Sequence, residues 1–386
     1  MAKIVYSMCG EGRGHATRVQ TVIEMLPRHR FILLAARDAY ETLYERYEGH
    51  PRVSVRRLPG LFFSYNNHKV DYVRSVLAAV PYLWKLSGVV EFVAQMIRRE
   101  KPDLAITDFE PILPRAARKC NLPCISMDHQ HFLSSSDFTS MPFRFRWRGW
   151  FLRGSIPMFY PKQDGEAVSS FFHLPPRPGT ENIKRFGVLL RPSVLDAART
   201  APTSQDHLLV YIRRHAPDKL WSILENSGRS AIVYGLGARP DMCQGKIQFR
   251  EIADQQFVHD LATSECLIST AGNQLIGEAF YLNKPVMAIP EPGNFEQQLN
   301  GWLVSKSGGG WSVTFEQLST HLLQQFLVAL PLMRANLRKL PVCGNTQAKE
   351  FIEKYLPAPQ VHNLQTDPPT EVDLAAIAKL LAVNEE

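Results

Sequence analysis

The chain has 386 residues, 45% hydrophobic and 21% charged, which excludes a disordered or fibrous chain and is enough for two cores rather than one. A formal net charge of +7 suits anionic partners such as phosphates, nucleic acid or a membrane surface. Six cysteines, at positions 9, 120, 124, 243, 266 and 343, have no zinc-like spacing and point to free thiols in a reducing compartment.

No charge-free apolar run reaches the roughly 18 residues of a membrane span. The first residues lead straight into a strand without a signal-peptide pattern, so the expected location is the cytoplasm. Lys3 to Met8 is a buried-strand pattern that runs into Cys9-Gly10-Glu11-Gly12-Arg13-Gly14-His15. Glycines at alternate positions fit the dinucleotide fingerprint poorly, and the stretch reads as a glycine turn before a helix from about His15 to Leu26. His15 is then at the C-terminal edge of the first strand, as a cap, a core histidine or a catalytic group.

Strands are expected at Phe31–Ala35 and Val53–Leu58 around a helix at Asp38–Tyr47. An irregular stretch from Leu61 to His68 precedes a long helix, Val70–Glu100, broken near Pro81. KPDLAITD is a buried strand that ends on Asp108, with a helix from Phe109 to Cys120. Asp108 either caps that helix or serves the cleft. Cys124 to Met127 is another strand, ending in Asp128-His129-Gln130-His131. An HxH at a strand edge without a third ligand is a weak metal signal, and no metal is expected.

The oddest composition lies in Phe143-Arg144-Phe145-Arg146-Trp147-Arg148-Gly149-Trp150-Phe151-Leu152-Arg153. Read as a strand, the alternation puts cations on one side and rings on the other. Its rings then face the core, or the whole surface meets anionic lipid or single-stranded nucleic acid. Glu181–Val188 reads as a strand and Leu190-Arg191-Pro192 as the interdomain crossing. The pattern restarts at Leu208 with LLVYI, followed by Arg213 in the loop before a helix at Pro217–Ser227. Ser230–Tyr234 leads into a second glycine turn at Gly235 and Gly237, and Ile247–Ile252 leads to Phe257-Val258-His259-Asp260-Leu261.

The stretch Ser269–Asn300 organises the second half. Thr270, Ala271 and Gly272 form a small-residue turn at a strand end, and the following helix offers unpaired N–H groups to an anion. Glu278 lies about a turn and a half into that helix, where a carboxylate can accept from a ribose diol. KPVMAIP is a buried parallel strand closed by Pro290, and the next loop carries Glu296, Gln297 and Gln298. Helices at Thr314–Ala329, Ala335–Leu340 and Asn345–Leu356 complete the half. A proline-rich segment then leads to a helix at Glu371–Val383.

This ordered set of Gly272, Glu278, Pro290 and Gln297–Gln298 resembles the nucleotide-sugar site of the GT-B glycosyltransferases, in the MurG-like branch that uses UDP-sugars. The resemblance implies two doubly wound, Rossmann-like α/β domains facing across a cleft. Residues 1–188 would hold the acceptor and 189–356 the nucleotide sugar, with 357–386 as linker and terminal helix. It implies transfer of a sugar from a UDP-linked donor, as co-substrate and with no further cofactor, to a hydroxyl acceptor that is lipid-linked or part of the cell envelope. By the same likeness His15 is the base, paired with Asp108. The donor is held by Arg213, Gly235, Gly237, Ile252, Thr270, Ala271, Gly272, Asn273, Glu278, Glu296, Gln297 and Gln298. Gly12, Gly14, Asp128, His129 and His131 face the acceptor. Phe143, Arg144, Arg146, Trp147, Arg148 and Trp150 would meet an anionic membrane, giving a peripheral position as the alternative to a free cytoplasmic one. No obligate protein partner is evident. A UDP-sugar 2-epimerase of the same architecture, or a nucleic-acid-modifying glycosyltransferase, are the alternatives.

Overall fold

A computed structural model describes residues 1–10, 13–60, 64–66, 69–154, 156, 161, 163–200, 207–213, 216–239 and 245–357. Gly12, most of the proline-rich segment and the helix expected at 371–383 lie outside these residues.

In the first half β1 (Lys3–Met8), β2 (Arg30–Ala35) and β3 (Val53–Arg57) precede a small antiparallel hairpin, β4 (Ser64–Asn66) and β5 (Lys69–Asp71). Then come β6 (Leu104–Asp108), β7 (Cys124–Asp128), β8 (Gly165–Ser169) and β9 (Lys184–Phe186). Apart from the hairpin, the strands pair in parallel in the order β3-β2-β1-β6-β7-β8-β9. Such strands are covered on both faces, which is why they read as continuous apolar runs. In β1, Ile4, Tyr6 and Met8 enter one core and Val5 the opposite one.

The second half repeats the plan with β10 (His207–Tyr211), β11 (Ser230–Tyr234), β12 (Ile247–Phe249), β13 (Cys266–Ser269), β14 (Val286–Ala288) and β15 (Gly310–Ser312). Their order is β12-β11-β10-β13-β14-β15, again all parallel. In each sheet the order reverses beside the first strand of that half, between β1 and β6 and between β10 and β13. A crevice opens outside the strand ends at such a reversal, and ligands bind there.

Several expectations are corrected. The helix Tyr72–Glu100 runs through Pro81 without a break. The arginine–aromatic stretch is a helix, Phe143–Arg153, and not a strand. The short strands β8 and β15 had not been anticipated, and a helix runs over Pro192–Thr200 after the crossing. The helix expected at Thr314–Ala329 spans Thr320–Leu337 and carries Pro331 inside it.

The helix Asn345–Glu353 returns to the first half, where Ala348, Phe351 and Ile352 join the core around Phe186 and Leu189. At this crossing Val188 bridges Cys343, and the Gly344 amide donates to the Val188 carbonyl at 3.0 Å. The approach leaves no room for side chains: a Cβ on Gly187 would lie 2.0 Å from the Val342 oxygen, and one on Gly344 would lie 2.1 Å from the Gly187 oxygen. Backbone cannot yield as a flexible side chain can. Gly344→Ala is therefore expected to destabilise the fold by about 3 kcal/mol, read as a clear fall in Tm. Gly88→Ala, on an exposed helical position with nothing within 4 Å, is the control and should hold or slightly raise Tm.

Candidate active site between the two sheets

The reversal in the first sheet brings β1 and β6 side by side, with Met8 paired to Asp108 and the Cys9 amide donating to the Asp108 carbonyl at 2.9 Å. His15 sits in the first turn of the helix Arg13–Met25, so its ring returns over the end of β6. Its Nδ1 lies 3.0 Å from Asp108 Oδ1, although the N–H direction does not meet the oxygen squarely enough for a full hydrogen bond. The two groups are nonetheless within ion-pair distance of each other.

Asp108 is fully buried and needs a positive partner. Arg18 provides it, with Nη1 2.5 Å from the same Oδ1. Burial works against the Arg18 charge, but Asp108, Tyr6 and Asp128 outweigh it and hold the guanidinium above its ordinary value. Sequence reasoning missed Arg18, yet the signal was there: it is three residues after His15 on a helix and so on the same face. Asp108 does not cap the next helix. Glu110 does, its Oε1 accepting from the Ile112 amide at 2.7 Å and its Oε2 from Leu113 at 2.9 Å. Burial raises this carboxyl to about 7.

At the end of β7 a second pair forms. His131 Nδ1 lies 2.5 Å from Asp128 Oδ2, and the His131 amide donates to Oδ1 at 2.8 Å. Burial opposes both charges, but each partner offsets it: Asp128 is held below the usual carboxylate range and His131 above the usual imidazole value. His129 is stacked on Phe132 at 4.7 Å, and burial pushes it down, so it is neutral at neutral pH. It borders a cavity of about 10 Å³ with Ser170, His173 and Arg185, room for about one water.

Across the cleft, β13 ends in Thr270-Ala271-Gly272. The left-handed residue here is Ala271, with φ +66, and not the glycine. Phe109, just after Asp108, is also left-handed at φ 54, so each side of the cleft carries a strained residue beside its strand end. A Cβ on Gly272 would meet nothing within 4 Å, so the backbone at the N-terminus of the helix Asn273–Tyr281 is open to an approaching group. Gly235, with φ +94, approaches the Ile212 oxygen, while Gly237 faces open space. Ile252 is half-buried beside the core.

Many expected donor residues also hold the two halves together. Arg213 reaches Asp38 at 3.1 Å. The Asn273 side chain accepts from Ser170 and the Phe171 amide and donates to the Ser169 carbonyl. Glu278 is buried, taking Arg191 Nη2 on one oxygen at 2.8 Å and Gln274 on the other at 3.1 Å. Arg191 also binds Asp254, so this residue, which sequence reasoning put at the crossing but not in the site, joins two carboxylates of the second half. Gln130 reaches Glu296 at 3.4 Å, and Arg148 donates to Gln298 at 2.7 Å. Gln297 folds back on Glu291. Gly14 lies close to Gln274: a Cβ there would be 3.5 Å from that of Gln274. The expected acceptor-side and donor-side groups are therefore neighbours.

The Asp128–His131 pair makes stability depend on pH. The raised His131 pKa contributes stability at low pH that is lost as pH rises through its folded value. The depressed Asp128 pKa contributes stability that is lost as pH falls through its own. Asp128→Asn is expected to cost up to about 3 kcal/mol between those two values. The difference from wild type should shrink at either end of the range, measured by urea unfolding across pH.

The sequence matches the family described as Glycosyl transferase family 1 over residues 2–331. No curated protein matches it. Among solved structures, UGT2 of Phytolacca americana, complexed with UDP-2-fluoro-glucose and pterostilbene, is similar with a TM-score of 0.65 at 16% identity, over 92% of this chain and 100% of that one. The calicheamicin glycosyltransferase CalG4 gives 0.64 at 13% identity, over 92% and 98%. MurG of Acinetobacter baumannii gives 0.57 at 12% identity, over 92% and 100%. At these identities the likeness concerns the fold, and the family match covers most of the chain. The protein belongs to glycosyl transferase family 1 and is a glycosyltransferase of GT-B architecture.

Proposed function

We propose that the chain transfers a sugar from a UDP-linked donor to a hydroxyl acceptor presented at an anionic membrane surface. The observation that carries this reading is the buried His15–Asp108–Arg18 cluster at one sheet reversal, opposite the open N-terminus of helix Asn273–Tyr281 at the other. In the reaction His15 Nε2 takes the acceptor proton while the acceptor oxygen attacks the anomeric carbon and UDP leaves from the opposite side. Asp108 orients the ring and balances the imidazolium that forms. A single displacement of this kind inverts the anomeric centre.

The leaving diphosphate is stabilised by the helix N-terminus and by Arg213, without a resident metal. Glu278 accepts from the ribose hydroxyls, which requires its carboxylate to share or exchange the Arg191 and Gln274 contacts. Glu296 and Gln298 meet the sugar. Asp128, His129 and His131 frame the acceptor. UDP as the nucleotide is supported by the bound ligand of the Phytolacca americana structure and by the ordered likeness of Gly272, Glu278 and Pro290. The membrane surface is supported by the helix Phe143–Arg153, which exposes four aromatic side chains and carries no acid. An epimerase of this architecture needs free carboxylates at the sugar, whereas Glu110 uses both oxygens on a helix end and Asp108 and Asp128 are each paired.

UDP is expected to raise Tm selectively over TDP, GDP, CMP and ADP, because a ligand bound only by the native state stabilises it. Glu278→Ala should abolish that rise; an unchanged rise removes Glu278 from the site. His15→Ala should keep the UDP-induced rise but lose about 10²–10⁴-fold in turnover. Full activity of that variant would reject the base assignment. Conversion of a UDP-sugar without any acceptor would instead favour epimerisation.

A further inference from the structure

The helix Phe143–Arg153 has two sides that do different things. Phe143, Trp147, Trp150 and Phe151 are 78%, 58%, 63% and 70% exposed. Their spacing of four, three and one residues puts them on one helical stripe. Trp147 and Trp150 stack at 5.6 Å, and Arg144 and Arg146 are exposed on the same helix. Rings of this kind favour the headgroup layer of a bilayer, and the arginines complement anionic lipid. The opposite side is packed. Phe145 is buried within 6.2 Å of the Phe295 ring and 5.8 Å of Trp302, and Gly149 lies against Phe138.

Arg148 sits between the two sides. It donates to Gln298 Oε1 at 2.7 Å and to the Gly293 carbonyl at 3.0 Å, with its guanidinium 5.3 Å from the Phe295 ring centre. The segment it grips is internally braced: Asn294 caps the helix Phe295–Ser307 by accepting from the Gln297 amide, and Gln297 is bound to Glu291. The helix is thus tied through Arg148 to a segment, residues 291–298, that is braced within itself. We infer that Arg148 couples seating of this helix on an anionic lipid surface to the loop that holds the donor sugar, so that the enzyme's donor site responds to the membrane. This rests on the membrane reading above. Arg148 acts here as a positioning residue.

The test is hydrogen exchange of the full chain with phosphatidylglycerol vesicles, phosphatidylcholine vesicles or a single-stranded DNA oligonucleotide. With phosphatidylglycerol, exchange in 143–153 should slow by about threefold or more, and exchange in 291–302 should change with it. Phosphatidylcholine should do neither. In Arg148→Gln the helix should still be protected while 291–302 no longer responds. Protection of the wild-type helix with no change at 291–302, or a response that survives Arg148→Gln, would overturn the coupling and leave the membrane reading standing. No protection by the anionic vesicles, or protection by the oligonucleotide alone, would overturn both. Even if the variant fails to fold, a wild-type helix protected without any change at 291–302 overturns the coupling.

Discussion

A carboxylate without access to water sits where the strand order of the first sheet reverses, and the arrangement around it follows from that cost. Asp108 is carried to the cleft by β6, whose register with β1 sets it beside Met8 and opposite the start of helix Arg13–Met25. A buried charge requires a counter-charge and hydrogen bonds. Arg18 supplies the first, and His15 is drawn to the same oxygen. The cation that secures the carboxylate and the imidazole that uses it therefore come from one helical face. The same pairing recurs at the end of β7, where Asp128 and His131 are three residues apart and meet by forming a single turn.

The two halves are joined by polar contacts at the site as well as by apolar packing. Arg191 lies on the crossing and links Asp254 to Glu278, while in the first turn of helix Asn273–Tyr281 Asn273 binds the first half's backbone and Gln274 the crossing at Leu189. In the proposed reading a nucleotide at Glu278 must negotiate with Arg191, so donor binding and the relation between the halves are not independent. The left-handed Ala271 and Phe109 stand at the two strand ends concerned, where strain is held in place by packed surroundings.

The helix Phe143–Arg153 illustrates how a period can mislead. Alternating arginine and aromatic residues satisfy a two-residue repeat, yet the residues that share a side of the helix are Phe143, Trp147, Trp150 and Phe151. Phe145 and Gly149, four residues apart, face inward. The tertiary setting decided between two patterns that the same residues fit.

The strand runs, their punctuation and the two halves were legible in the sequence because buried parallel strands must be apolar on both faces and must stop at turns. So were His15 and Asp108 as strand-end groups, and the small-residue turn at Thr270–Gly272. Partnership was less accessible. That Arg18 and not a second carboxylate completes the His15 cluster, that Glu110 and not Asp108 caps the next helix, and that Arg191 holds Glu278 are facts of distance between segments 87 or more residues apart, or of which of two neighbouring acids turns inward. The short strands β8 and β15 escaped because three to five residues carry too little period to be read, and pairing with a neighbour already in place is what makes them strands. The sequence by itself determined which residues could be buried and where the chain must turn. Only the tertiary structure decided which charges meet, since a buried charge takes the partner that the packing of distant elements brings within reach.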